Sequence, residues 1–212
     1  MWWSEAERHG VLPLDDRGIE LFGAKFRDHS PHPADRHYVY RPPMSPIPAQ
    51  ASASIGGRSF DLKATVTRRP DDNGVLYATG TQNSGFSIFV QDGKLKADYN
   101  AFEDHVVVES SSPVPTGDSV LEARLRRTGG SVGTMELLID GVSVGHAALP
   151  LYMRMISSIG ASVGEDHGSA VSKSYEGPFP FSGVLRSIDI QLIERTAPEA
   201  DAAEAASEMS RQ

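Results

Sequence analysis

With 212 residues, 39% of them apolar, and with 20 Gly and 14 Pro, the chain can build one sizeable core and favours short strands joined by many turns. A net charge of −8 opposes a phosphate backbone, which excludes nucleic acid as an expected partner. The chain has no Cys, which excludes disulfides, thiolate metal sites and Cys nucleophiles, and it has no run of about 18 uninterrupted apolar residues with which a helix would cross a membrane.

The N-terminal run Met1-Trp2-Trp3-Ser4-Glu5-Ala6-Glu7-Arg8 lacks the leading positive charge and apolar stretch of a signal peptide, so a soluble chain without its own export signal is expected. The compartment stays open. Residues 2–9 read as a short helix, with Ser4 as N-cap, Glu5 and Glu7 in the first turn and Gly10 ending it. So short a helix is marginal alone. Trp2, Trp3, Val11, Leu12 and Leu14 nevertheless crowd large apolar side chains there, and they are expected to form an interface with a neighbour.

Between 28 and 50 lie six prolines, at 31, 33, 42, 43, 46 and 48. Proline removes backbone donors, so this reads as a connector around one extended stretch at 38–40. Strand signals begin near Phe60, where Phe60, Leu62, Ala64 and Val66 alternate with polar residues. The same period places Leu121, Ala123 and Leu125 on a core with Glu122, Arg124 and Arg126 toward water, and Ile188, Ile190 and Leu192 on a core.

Two hairpins are predicted, 86–90 to 95–99 around Asp92-Gly93 and 135–139 to 142–144 around Asp140-Gly141, because Asp-Gly tolerates the positive φ angles of two-residue turns. Further strands are expected at 75–79, 106–109, 158–163 and 181–185. After Glu194 the chain has almost no bulky apolar residue and reads as a disordered tail. The organisation is then a helix and turn over 1–27, a Pro-rich connector over 28–50, an all-β antiparallel jelly-roll sandwich over 51–195 and a tail over 196–212.

Candidate chemistry is sparse. Asp28, His29, His32, Asp35 and His37 supply nitrogen and oxygen ligands of the kind zinc accepts, yet they sit in the Pro-rich connector without the periodicity that would gather them, and a solvated linker is the stronger reading. Asp15-Asp16-Arg17 pairs carboxylates beside a cation, but adjacent residues on a turn point apart. Asp166-His167-Gly168-Ser169, after Glu165, resembles a loop that could hold calcium, with a plain turn favoured. Tyr99, Tyr152 and Tyr175, if exposed, could stack on sugar rings, against packing as the commoner role. The Gly-rich pieces at 54–58 and 128–131 precede no helix and read as turns. There is no G-x-S-x-G elbow. No catalytic, cofactor-binding or metal residue is assigned.

Trp2-Trp3-Ser4-Glu5-Ala6-Glu7 leading to Val11-Leu12-Pro13-Leu14-Asp15-Asp16-Arg17 resembles the junction late in bacterial arylsulfatases of the alkaline-phosphatase-like sulfatase family, where it follows the catalytic domain. The likeness continues through Tyr38-Val39-Tyr40-Arg41-Pro42, Gly57-Arg58-Ser59-Phe60, Gly74-Val75-Leu76, the run from Gly85 to Leu95, and Tyr99-Asn100. It closes on Val163-Gly164-Glu165-Asp166, Val171-Ser172-Lys173-Ser174-Tyr175 and Phe181-Ser182-Gly183-Val184-Leu185.

The resemblance implies a C-terminal sandwich similar to laminin-G and legume-lectin domains, supporting or gating a sulfatase catalytic domain in cis or in trans. In that family sulfate esters are hydrolysed with a formylglycine, made within a C/S-x-P-x-R motif, and a divalent cation such as calcium. Neither Cys nor a Ser in that motif occurs here, so the chain is expected to be inactive alone and to carry no cofactor. The alternative is a free-standing lectin-like carbohydrate-binding module. A sulfated glycan or an aryl ester is the ligand class implied.

Overall fold

A computed structural model describes residues 36–44, 46–49, 51–153 and 159–193. It contains eleven strands: β1 (His37–Tyr40), β2 (Ser59–Arg68), β3 (Gly74–Thr81), β4 (Ser84–Gln91), β5 (Lys94–Ala101), β6 (Asp104–Pro113), β7 (Gly117–Gly129), β8 (Val132–Ile139), β9 (Val142–Leu149), β10 (Ala161–Val163) and β11 (Val184–Ile193). They form a six-stranded sheet in the order β1-β11-β2-β7-β8-β9 and a five-stranded sheet in the order β10-β3-β4-β5-β6. Every strand pair is antiparallel. The fold is an all-β jelly-roll sandwich, and no helix occurs among the described residues.

Alternation in sequence becomes the core directly. Leu192, Phe60 and Leu125 stand side by side across β11, β2 and β7, as do Ile190, Leu62 and Ala123, and Ile188, Ala64 and Leu121. All nine are fully buried. Facing them from β4 and β5 are Phe86, Ile88, Val90, Leu95 and Tyr99, and the Phe60 and Phe86 rings meet edge to face at 5.7 Å between the two sheets. Burying a side chain of this size stabilises the fold by about 1.5–3 kcal/mol. Both Asp-Gly hairpins form as expected, with φ of 54° and 71° at Asp92 and Gly93 and 50° and 79° at Asp140 and Gly141.

β4 is buried on both faces. Its inner face meets the six-stranded sheet, and its outer face, through Phe89, lies under the strap 164–183. There Val171 and Tyr175 close a second small core with Val75 and Ala78. The strap is held by Asp166, whose Oδ2 accepts from Val171 N at 2.8 Å and from the Tyr175 hydroxyl at 2.6 Å.

Several sequence expectations are corrected. The sandwich takes in residues placed in the connector: β1 pairs with β11, Ile47 bridges Ala161, and the buried Tyr40 hydroxyl accepts from Ala53 N at 2.8 Å. Of the strand expected at 158–163, Ala161–Val163 is strand and 159–160 are not, while 158 lies outside the described residues. That expected at 181–185 starts at Val184, because Phe181 N and Ser182 N donate to the Gly164 and Asn73 carbonyls and not to a sheet ladder. Tyr99, Tyr152 and Tyr175 are buried and pack, the commoner role expected for them, and they present no face to a sugar. The helix over 2–9, the five interface residues Trp2, Trp3, Val11, Leu12 and Leu14, and the tail after 195 lie outside the described residues.

Candidate functional site

The outer face of the six-stranded sheet carries a polar groove of about 780 Å³. Strand register builds it. Reading across β1, β11, β2 and β7, one row is His37, Gln191, Asp61 and Arg124, and the next is Val39, Asp189, Lys63 and Glu122. Thr65 and Val120 pair in the row beyond, and the Asp140-Gly141 turn closes that end of the groove. These side chains point outward because their neighbours in each strand point inward, the consequence of a two-residue repeat.

The charges on this face are matched. His37 Nε2 lies 3.4 Å from Asp189 Oδ1, while Ser187 Oγ donates to Asp189 Oδ2 at 2.8 Å. Glu122 Oε2 lies 3.1 Å from Arg124 Nη2 and 3.9 Å from Lys63 Nζ. Arg126 bonds Asp61 and also the Phe60 carbonyl. Asp140 Oδ1 accepts from Val120 N at 2.8 Å. Glu122 was expected to face water; it points outward, yet its side chain is only 6% exposed because the two cations flank it. Such a carboxylate keeps its orientation, and a fixed acceptor is what specific recognition of a hydroxyl group requires.

The groove thus offers oxygen acceptors from four carboxylates and donors from Lys63, Thr65, Gln191 and His37. It gathers no nucleophile with a base. Among the described residues there is no group of three or more His, Cys, Asp or Glu placed to hold a metal ion. Of the proposed zinc cluster, His37 alone is described, and it faces Asp189; Asp28, His29, His32 and Asp35 lie outside the described residues, as do Asp15, Asp16 and Arg17.

In the loop at 165–169 Asp166 ties the strap together, the plain-turn role favoured for it. Burial raises the pKa of that carboxyl, and its Oδ2 is occupied by Tyr175 and Val171. Gly130-Ser131 is the β7–β8 turn, within the Gly-rich piece read as a turn. Asp61, Lys63, Glu122 and Asp189 escape sequence reasoning as a site because they sit on three strands distant in sequence, β2, β7 and β11, and meet only through register. The outward half of each alternation was the available signal.

No family model and no curated protein matches the chain. Solved structures of similar fold include the K499G mutant of the NanB sialidase from Streptococcus pneumoniae, 16% identical over 78% of this chain and 27% of that one, with a TM-score of 0.50. They also include the LG4-5 domains of the mouse laminin alpha1 chain, 13% identical over 75% of this chain and 40% of that one, with a TM-score of 0.45. A third is the Caenorhabditis elegans galectin LEC-6, 11% identical over 72% of this chain and 94% of that one, with a TM-score of 0.43. The chain therefore spans about a quarter of the sialidase and less than half of the laminin fragment. Identities this low speak to fold alone, and the class is an all-β antiparallel sandwich.

Proposed function

We propose that this chain is a carbohydrate-binding β-sandwich module whose ligand lies along the groove between β1 and β7. The observation that carries the reading is the groove's dense array of paired donors and acceptors around the near-buried Glu122. A sugar presents hydroxyls that both donate and accept, so it can insert among such pairs without leaving a charge unmatched. The laminin and galectin likenesses are consistent in fold.

The test is calorimetry against the best ligand from a glycan array, with Lys63→Ala and Asp189→Ala as probes. Both substitutions should weaken binding by about tenfold, the loss of roughly one good polar contact, while leaving the far-ultraviolet circular dichroism unchanged. Unaltered affinity in both variants, or no glycan binding at all, rejects the groove.

A second reading, favoured by the ordered motifs from Trp2 to Leu185, attaches the module to a sulfatase-type catalytic domain in cis or in trans. The similar structures named above are not sulfatases. Coding sequence upstream with a C/S-x-P-x-R motif would support it, and its absence from the neighbouring genes would count against it. On either reading the chain alone should not turn over an aryl sulfate.

A further inference from the structure

The β5–β6 hairpin turns on Phe102-Glu103, with φ of 57° and 69°. The β4–β5 and β8–β9 hairpins put Asp-Gly at the equivalent places. The left-handed region disfavours a bulky side chain, and Phe and Glu in succession there are held at a cost that Gly or Asn would avoid. Phe102 gains nothing by burial in exchange. At 70% exposure it is the most exposed large apolar side chain among the described residues.

Beside this turn lies a pocket of about 360 Å³, walled by Gln82 of the β3–β4 turn, by Glu103 and His105, and by Val171, Ser172 and Lys173 of the strap. One fully buried side chain pins all three walls. Asn100 donates through Nδ2 to the Gln82 carbonyl at 2.8 Å and to the Val171 carbonyl at 3.1 Å, and its Oδ1 accepts from Glu103 N at 2.8 Å. The pocket is therefore preorganised.

Its wall includes a histidine with one committed nitrogen. His105 Nδ1 is 2.9 Å from Asp98 Oδ2, which fixes the ring, and Nε2 is buried without a protein partner. A buried ring nitrogen left unmatched is costly unless a ligand or water satisfies it.

We propose that this rim pocket is a second binding site, separate from the groove, and that it takes one neutral sugar residue. Phe102 does not line the pocket but stands exposed on the turn that borders it, where its ring can cover the C–H side of a sugar that reaches past the rim. The His105 Nε2 takes a hydroxyl, which can donate or accept and so suits either tautomer. Glu103 and Lys173 offer one charge of each sign, so the pocket favours no net charge on the ligand. The site lies on the five-stranded sheet, across the core from Lys63 and Asp189, and does not depend on the groove reading.

The experiment is an amide chemical-shift titration of the whole chain with galactose, glucose, mannose and N-acetylglucosamine, repeated on Phe102→Gly and His105→Ala. At least one sugar should shift resonances of 100–105 and 170–173, and each variant should weaken that binding by about tenfold. Phe102→Gly should keep or raise the melting temperature, since glycine relaxes the turn; a fall would assign Phe102 to stability and overturn the proposal. Silence of those resonances with all four sugars would also overturn it. Shifts confined to 61–65, 120–122 and 187–191 would uphold the groove and reject the rim, and shifts confined to the rim would do the reverse.

Discussion

The rings of Tyr99 and Tyr152 pack at 5.6 Å between centroids, and each hydroxyl ties down a different piece of chain: Tyr99 accepts from Met153 N at 2.9 Å, and Tyr152 donates to the Arg58 carbonyl at 2.6 Å. The pair thus fastens 57–58 and 151–153 to the five-stranded sheet. Burial pushes the Tyr99 phenol well above its usual pKa, so it stays protonated. Tyr99→Phe keeps the packing but leaves Met153 N without its acceptor, and it should cost about 1–3 kcal/mol. Tyr99→Ala adds a cavity and should cost about 3–5 kcal/mol. Urea unfolding of the two variants checks the order.

Leu125 and Arg124 are neighbours in β7 on opposite faces. Leu125 is fully buried between Phe60 and Met135, so Leu125→Ala should cost about 2–5 kcal/mol. Arg124 is about a third exposed, and Glu122 retains Lys63 when Arg124 is removed, so Arg124→Ala should cost less than about 1 kcal/mol. Equal losses in a denaturation experiment would contradict the assignment of faces.

These two residues also mark where sequence reasoning succeeds. The period of two through 60–66, 121–125 and 188–192 is local, so the sequence reveals which side chains meet the core, and Asp-Gly announces its own turn. What pairs with what is not local. The extended stretch at 38–40 was legible among the prolines, but its pairing was not, because its partner, β11, lies about 150 residues on, and the groove exists only once that pairing brings His37 to Asp189. Phe102-Glu103 gave no turn signal because its residue types contradict its backbone. Tyr99, Tyr152 and Tyr175 could not be sorted into packing or display, since aromatic residues serve both.

Asp166 carries a pH prediction whose sign follows from burial, the chief reason its pKa is raised. Between the ordinary carboxylate value and that raised value the folded chain holds a proton that the unfolded chain has lost, so this group makes stability fall as pH rises through the interval. Asp166→Asn cannot lose that proton, and its amide oxygen can still accept from Val171 N and Tyr175. Relative to the parent, the variant should gain stability as pH rises above the ordinary carboxylate value of about 4 and show little difference below about pH 3. Urea midpoints across that range measure it; a variant that loses stability as pH rises would reverse the assignment.

The last prediction concerns the charge of the groove's ligand. Among its lining residues Asp61, Glu122, Asp140 and Asp189 are acidic and Lys63 is the one lysine or arginine, itself beside Glu122. Arg124 and Arg126 flank the groove and are bonded to Glu122 and Asp61. A sulfate group entering here would compete for cations already matched and would stand among carboxylates at short range, where like charges repel and desolvation is incomplete. A neutral oligosaccharide should therefore bind better than its sulfated form by about tenfold, and the gap should narrow as salt rises, because the Debye length falls to about 3 Å at 1 M ionic strength. Asp189→Asn should narrow it too, by removing one of the repelling charges. The sulfated form runs opposite to this, and it is the ligand that attachment to a sulfatase would suggest. Calorimetry with one oligosaccharide in both forms, at low and high salt, decides the matter: tighter binding of the sulfated form, weakening with salt, would mean that a basic surface elsewhere on the chain takes the ligand and that the groove is not the site.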